Sequence, residues 1–192
     1  MAWLGAVLAG GESRRFGSDK AAALLDGKTM VDRAAATLAE VFREVVVVSS
    51  RAPATRSWLH IPDGRPGQGP LAGIEAALRF ADERGLGGAF VLACDLPLVD
   101  TGTIHAVLAA LTGAAAAAPA RQGDEGWEPL CAAYRLECLP WASAALDRGE
   151  LAVHGLLDAV GAVRVAARPA ALLNVNTPAD HFRAVSVVDG AG

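Results

Sequence analysis

The chain has 192 residues, 53% of them hydrophobic and 20% charged, which suits one core and excludes the polar, charge-rich composition of a disordered segment. Its 17 basic and 21 acidic residues are interspersed and leave a formal net charge of −4, so no positive field would hold a nucleic-acid backbone. Three cysteines, Cys94, Cys131 and Cys138, are odd in number and lack CxxC spacing, which argues against a disulfide framework or a zinc site.

Trp3 to Ala9 reads as a buried strand. No Lys or Arg precedes it, unlike a signal peptide, and the later apolar stretch Ala106 to Ala120 is broken by Thr112, Gly113 and Pro119; a cytoplasmic chain without a membrane span is expected. Thr29 to Phe42 follows as an amphipathic helix with Met30, Ala34, Leu38 and Val41 on one face, then Val45 to Ser49 as a second buried strand, which completes a βαβ unit. A short strand ends near Ile61, the glycine- and proline-rich loop Pro62 to Gly69 comes next, and Pro70 suits the first turn of a helix reaching about Glu83. Gly87 to Ala93 is another apolar run, closed by Asp95, Pro97 and Asp100 before a helix from Thr101 to Leu111. Beyond it, strands are expected near Ala114 to Ala118, Leu130 to Tyr134 and Val163 to Ala166, with helices near Leu136 to Leu146, Val153 to Val160 and from Pro178 onward. The alternation predicts an α/β fold around a mostly parallel sheet. One domain is expected over residues 1–192, with residues from about 186 onward as a flexible tail.

In open α/β sheets ligands collect beyond the C-terminal ends of the strands, so the loops after Ala9, Ile61 and Ala93 are the places to look. The first, Leu8-Ala9-Gly10-Gly11-Glu12-Ser13-Arg14-Arg15-Phe16-Gly17-Ser18-Asp19-Lys20, joins glycine backbone to Arg14, Arg15 and Lys20. That combination suits a polyanion such as a triphosphate, though composition equally describes a tight turn with a solvated basic loop. Neither a Walker A loop, whose first glycine would fall on Ala22, nor a dinucleotide fingerprint fits the spacing. Asp95 emerges at the end of its strand, where one hard carboxylate beside substrate phosphates suits Mg²⁺; a helix-capping or turn role is the alternative. Asp63 reads as a ribose or base contact or as a turn aspartate. Asn174-Val175-Asn176-Thr177-Pro178 places two asparagines on one side of an extended segment, with Thr177 as cap of the helix that Pro178 starts. The four histidines, His60, His105, His154 and His181, have no metal-ligand spacing, and no candidate for covalent catalysis is evident.

Taken in order, LAGGESRRFGSDK, GPLAGI at residues 69–74, ACDLP at 93–97, EPL at 128–130 and NVNTP at 174–178 resemble the motifs of molybdenum cofactor guanylyltransferases, over nearly the whole chain. The first motif marks the wider nucleotidyltransferase superfamily; the double glycine together with GPLAG and NVNTP is similar to the guanylyltransferase branch. The resemblance implies a Rossmann-like three-layer fold and transfer of GMP from GTP to the terminal phosphate of molybdopterin, with release of pyrophosphate, Mg²⁺ as cofactor and no covalent intermediate. By motif it implies that Leu8, Ala9, Gly10 and Gly11 meet the nucleotide through backbone and that Arg15 and Lys20 hold phosphates. It further implies that Asp63 lies on the nucleoside side, that Asp95 binds both Mg²⁺ and nucleotide, and that Asn174 and Asn176 lie near the reacting phosphates or the pterin. GTP and molybdopterin are the implied small-molecule partners, with cofactor-insertion proteins or apo-molybdoenzymes as protein partners.

The chain departs from that pattern twice: Val48, followed by Ser49 and Ser50, stands where an asparagine is common, and Glu150-Leu151 stands where an arginine is common after the glycine. The first puts base or ribose contacts in question and the second the acceptor site. Within the same chemistry the alternatives are a cytidylyltransferase for the same cofactor or another NTP:phosphate nucleotidyltransferase, and LAGG rather than LAAG favours GTP. From another class, a non-catalytic module that delivers the nucleotide or cofactor would keep the glycine loop without needing the metal acid.

Overall fold

Five consecutive buried residues, Leu4–Leu8, form strand β1. Its side chains alternate between two apolar layers, Leu4, Ala6 and Leu8 on one face and Val7 on the other, so the sheet is covered on both sides. The structure, a computed structural model, describes residues 1–9, 24, 25, 27–50, 57–120 and 126–189. A two-residue antiparallel hairpin, β2 (Leu24–Leu25) and β3 (Lys28–Thr29), precedes helix α1 (Met30–Ala39). The sequence period places Thr29 inside the helix; it is instead the N-cap, extended at φ −64° and ψ 155°, and its hydroxyl accepts from Asp32 N at 3.0 Å. Pairing with Leu24 accounts for the extended backbone.

Strands β4 (Glu44–Ser49) and β5 (Leu59–Pro62), helix α2 (Pro70–Glu83), strand β6 (Gly88–Ala93), helix α3 (Thr101–Ala109) and strand β7 (Ala116–Pro119) follow. Asp100 caps α3 by accepting from Thr103 N at 2.8 Å, which leaves Asp95 outside the helix. Strand β8 (Cys131–Arg135) leads through a 3₁₀ turn, Leu136–Cys138, into helix α4 (Leu139–Asp147). Pro140 lies in the first α-helical turn, where its missing N–H costs no helical bond, so the expected helix from Leu136 begins as the tighter turn. Helix α5 (Val153–Ala159), strand β9 (Val163–Val165), a 3₁₀ turn at Pro169–Leu172 and helix α6 (Pro178–Asp189) complete the chain.

The main sheet has seven strands in the order β5-β4-β1-β6-β8-β7-β9. β8 is antiparallel to β6 and β7, and every other pairing is parallel. Helices α1 and α3 pack on one face with Val7, Val47, Phe90 and Leu92. Helices α2, α4 and α5 cover the other with Leu4, Val46, Val91 and Tyr134. This is the expected three-layer α/β fold. A third cluster, Leu25, Met30, Val175 and Ala184, fixes the hairpin and α6 to the segment before α6. No helix among the described residues is long and apolar enough to cross a membrane.

Candidate functional site

The chain winds from β1 outward to β4 and β5, then returns to the other side of β1 with β6, so the strand order reverses between β1 and β6. A crevice beyond the strand ends is the geometric result of that reversal. Leu8 pairs with Ala93 there, Cys94 N donates to Leu8 O at 3.1 Å, and Ala9 N donates to Val48 O at 2.9 Å. The sheet ladder thus already engages the Leu8 carbonyl and the Ala9 N–H, two of the backbone groups expected to meet a ligand. Gly10, Gly11, Arg15 and Lys20, with Arg14, lie outside the described residues.

Helix α2 starts beside the same strand end. Gly69 is its N-cap at φ 74° and ψ −166°, a conformation essentially confined to glycine, and it provides no side-chain cap. Pro70 lacks an N–H, so the exposed start of the helix presents few donors of its own, but its dipole still favours an anion. Four residues on, a Cβ at Gly73 would stand 3.0 Å from Leu8 Cδ2, so the second glycine of GPLAG lets α2 close on the end of β1.

Asp63 follows β5 and is half-buried; its Oδ1 accepts from Arg65 N at 2.9 Å, and Asp63 N donates to Ser49 O at 3.3 Å. The turn reading of Asp63 is therefore present in the structure, and it also holds the carboxylate beside the ends of β4 and β5. Val48 is buried in the core and Ser49 is 5% exposed. His60 Nε2 lies 3.1 Å from both Ser49 O and Ser49 Oγ, so at the position of the first departure the serine hydroxyl meets a histidine ring.

Asp95 and the asparagine pair come together although about eighty residues separate them in sequence. Val175 N donates to the Asp95 backbone carbonyl at 2.8 Å, and the buried Val175 side chain anchors the contact. Asn174 is partly buried, and its Oδ1 is buried with no hydrogen-bond partner among the described residues; Asn176 is exposed. Leaving such an oxygen unmatched costs about 1–3 kcal/mol. Thr177 caps the helix as expected, and Asp180, which the sequence reading did not include, reciprocates: Asp180 N donates to Thr177 Oγ1 at 3.2 Å while Thr177 N donates to Asp180 Oδ2 at 3.0 Å.

Sequence reasoning assigned no role to Glu128, yet it is 4% exposed and stands at the same edge of the sheet. Its backbone N–H donates to Pro119 O at 2.8 Å, and Leu130 O accepts from Ala93 N at 2.7 Å, two residues before Asp95. The signal for it is the EPL motif at 128–130, just before β8. The second departure resolves locally: Arg148 Nη2 donates to Glu150 Oε2 at 2.7 Å, which holds the Glu150 carboxyl below its ordinary range, and Leu151 is exposed. The buried thiols shift for a different reason: burial raises Cys138 to about 12 and Cys131 further, which keeps both in the inert thiol form. Among the described residues no group of three or more His, Cys, Asp or Glu could enclose a metal ion. A lone strand-end carboxylate such as Asp95 fits Mg²⁺, which keeps water and substrate phosphate in most of its shell, better than it fits a metal that requires an all-protein cage.

Residues 5–168 match the model of the MobA-like NTP transferase domain. The chain is 36% identical over 176 residues to a probable molybdenum cofactor guanylyltransferase of Deinococcus radiodurans, covering 91% of this chain and 90% of that protein. It is 37% identical to a protein of the same description from Opitutus terrae, with 93% of each covered. The crystal structure of molybdopterin-guanine dinucleotide biosynthesis protein A from Archaeoglobus fulgidus superposes with a TM-score of 0.80 at 25% identity, covering 97% of this chain and 99% of that one.

Proposed function

Because the chain belongs to the MobA-like NTP transferase family, we infer that it is a molybdenum cofactor guanylyltransferase, which transfers GMP from GTP to the terminal phosphate of molybdopterin and releases pyrophosphate. The observation that supports the reading is the hydrogen bond from Val175 N to Asp95 O, which brings the NVNTP segment beside the residue that follows β6.

In the reaction an oxygen of the acceptor phosphate forms a bond to the α-phosphorus of GTP as the bond to the β-phosphate bridging oxygen breaks. Two anions must approach, so the protein's task is positioning and charge neutralisation, with no protein nucleophile. Asp95 would hold Mg²⁺ together with the triphosphate, and the ion would supply positive charge at the reacting phosphates. Lys20 and Arg15 would neutralise the triphosphate and the departing pyrophosphate. Asp63, at the β5 end, would face the nucleoside, where a carboxylate can accept from ribose hydroxyls or from the donor edge of guanine. Val48 stands where the family's asparagine is common, and the next residue, Ser49, accepts from Asp63 N through its carbonyl and meets the His60 ring through its hydroxyl. Asn174, with its unmatched Oδ1, and Asn176 would orient the acceptor side.

Incubating the purified protein with GTP, Mg²⁺ and molybdenum-loaded molybdopterin should yield the guanine dinucleotide and pyrophosphate, with CTP a much poorer donor. Lys20→Ala and Asp95→Ala should each lower kcat/KM by roughly 100-fold or more, the scale of removing one charge-stabilising group. Full activity in both variants, or a preference for CTP, would overturn the assignment.

A further inference from the structure

Residues 63–69 belong to neither strand nor helix, yet on the proposed reading they must hold Asp63 still beside a nucleotide. Arg65 supplies the rigidity. Its backbone N–H fixes Asp63 Oδ1, while its guanidinium binds in two directions. Nε and Nη2 donate to Oε2 and Oε1 of Glu75 in α2 at 2.9 and 3.2 Å, and Nη1 donates to Oδ1 of Asp147, the last residue of α4, at 2.6 Å. Glu75 is 3% exposed and takes two more hydrogen bonds, from Arg79 Nη2 at 2.8 Å and Ser143 Oγ at 2.7 Å. Burial alone would raise its carboxyl; the bonds from Ser143, Arg79 and Arg65 outweigh that and lower it.

Two guanidinium groups and two carboxylates make this cluster neutral, the condition for burying charge at tolerable cost. Such a cluster seldom exceeds the stability that well-packed apolar side chains would give, and Leu71, Ile74 and Leu78 occupy neighbouring buried positions of the same helix. What an apolar residue at position 75 could not do is grip a loop by a bidentate contact of fixed geometry. We propose that Arg65 is a positioning residue for the nucleotide, acting through Asp63, with Glu75 and Asp147 as its anchors. The proposal rests on the guanylyltransferase reading. Because Asp147 runs directly into Arg148-Gly149-Glu150-Leu151, the same guanidinium also ties the nucleotide loop to the segment that the family resemblance associates with the acceptor.

The test measures the Kd of GTP with Mg²⁺ by titration calorimetry, and kcat and KM for GTP, in wild type, Arg65→Gln, Arg65→Lys, Asp63→Ala and the Asp63→Ala/Arg65→Gln double variant. Arg65→Gln should raise Kd and KM roughly tenfold, a typical coupling between contacting residues, with kcat changed less than about threefold. Arg65→Lys should recover only part of the loss, since an ammonium cannot reproduce the bidentate contact. The double variant should bind no more weakly than Asp63→Ala alone, an outcome that general loosening of the fold would not produce. A folded Arg65→Gln with wild-type Kd, or a double variant in which the two losses add fully, overturns the proposal. If Arg65→Gln does not fold, Asp147→Asn, which alters an anchor with a 66% exposed side chain, must weaken GTP about twofold or more, and an unchanged Kd overturns it. Wild type that neither binds GTP nor releases pyrophosphate overturns the guanylyltransferase reading and the proposal with it, whereas active wild type beside an unaffected Arg65→Gln overturns the proposal alone.

Discussion

Gly69→Ala isolates backbone conformation at the site from packing among the described residues. A Cβ built on Gly69 meets no atom of the described residues within 4 Å beyond its chain neighbours, so the cost of the substitution there lies in the backbone at φ 74° and ψ −166°. Holding a non-glycine residue there costs about 1–3 kcal/mol. Alanine also restricts the unfolded chain, which returns about 0.4–1 kcal/mol, so the expected net loss is near 1.5 kcal/mol. For a chain of this length that corresponds to a fall in Tm of about 3–6 °C. Differential scanning calorimetry checks the magnitude, with Gly64→Ala as control: its Cβ is equally unobstructed and its φ lies outside the left-handed region, so it should be neutral or slightly stabilising. Relief of the strain would rotate the loop carrying Asp63 against α2, so GTP should also bind more weakly to Gly69→Ala than to Gly64→Ala. Equal melting of the two variants would refute the reasoning.

Asn174→Ala removes the buried, unmatched Oδ1; the apoprotein should keep its melting temperature or gain up to about 1 kcal/mol while turnover falls at least tenfold, and a variant both active and destabilised would contradict the assigned role. Glu75→Gln tests the buried cluster through pH. The folded-state pKa of Glu75 lies below its ordinary 4.5, so its contribution is complete above about pH 4.5 and is lost as pH falls through the lower native value. Melting curves of wild type and Glu75→Gln should therefore differ by a constant amount at neutral pH and converge on acidification, and a gap independent of pH would show that the charge contributes nothing.

The parallel half of the sheet is legible because β1, β4 and β6 are fully or largely buried and read as continuous apolar runs between glycine, proline and acid signals. The hairpin at Leu24–Leu25 and Lys28–Thr29 is not, since two-residue strands carry no period. Thr29 shows the consequence: helical spacing continues into a residue whose cross-strand partner keeps it extended. Asp95 was readable from its place after an apolar run, but its neighbourhood with Asn174 depends on Val175 packing into a cluster drawn from the hairpin, α1 and α6, which no local pattern reports. Glu75 misleads in the other direction. It looks like an ordinary polar position on an amphipathic helix, and only the approach of Arg65 and Ser143 shows that the acid faces inward.

Taken together, the strand ends divide the proposed work by chemistry. The ionisable side chains described there are the carboxylates of Asp63 and Asp95 with the His60 ring, and carboxylates alone would repel a triphosphate. A chain with net charge −4 that handles two phosphate substrates must therefore concentrate its cations locally, and it does so in sequence, with Arg14, Arg15 and Lys20 inside one seven-residue stretch. Among the described residues Arg65 is paired with Glu75 and Asp147, Arg148 with Glu150 and Arg168 with Asp100. On the proposed reading, pairing those arginines internally leaves the Arg14–Lys20 stretch as the source of cations for the triphosphate. On the same reading the cations of that stretch and the carboxylate of Asp95 serve one substrate, so Lys20→Ala and Asp95→Ala combined should lose less than the sum of the two separate losses in kcat/KM.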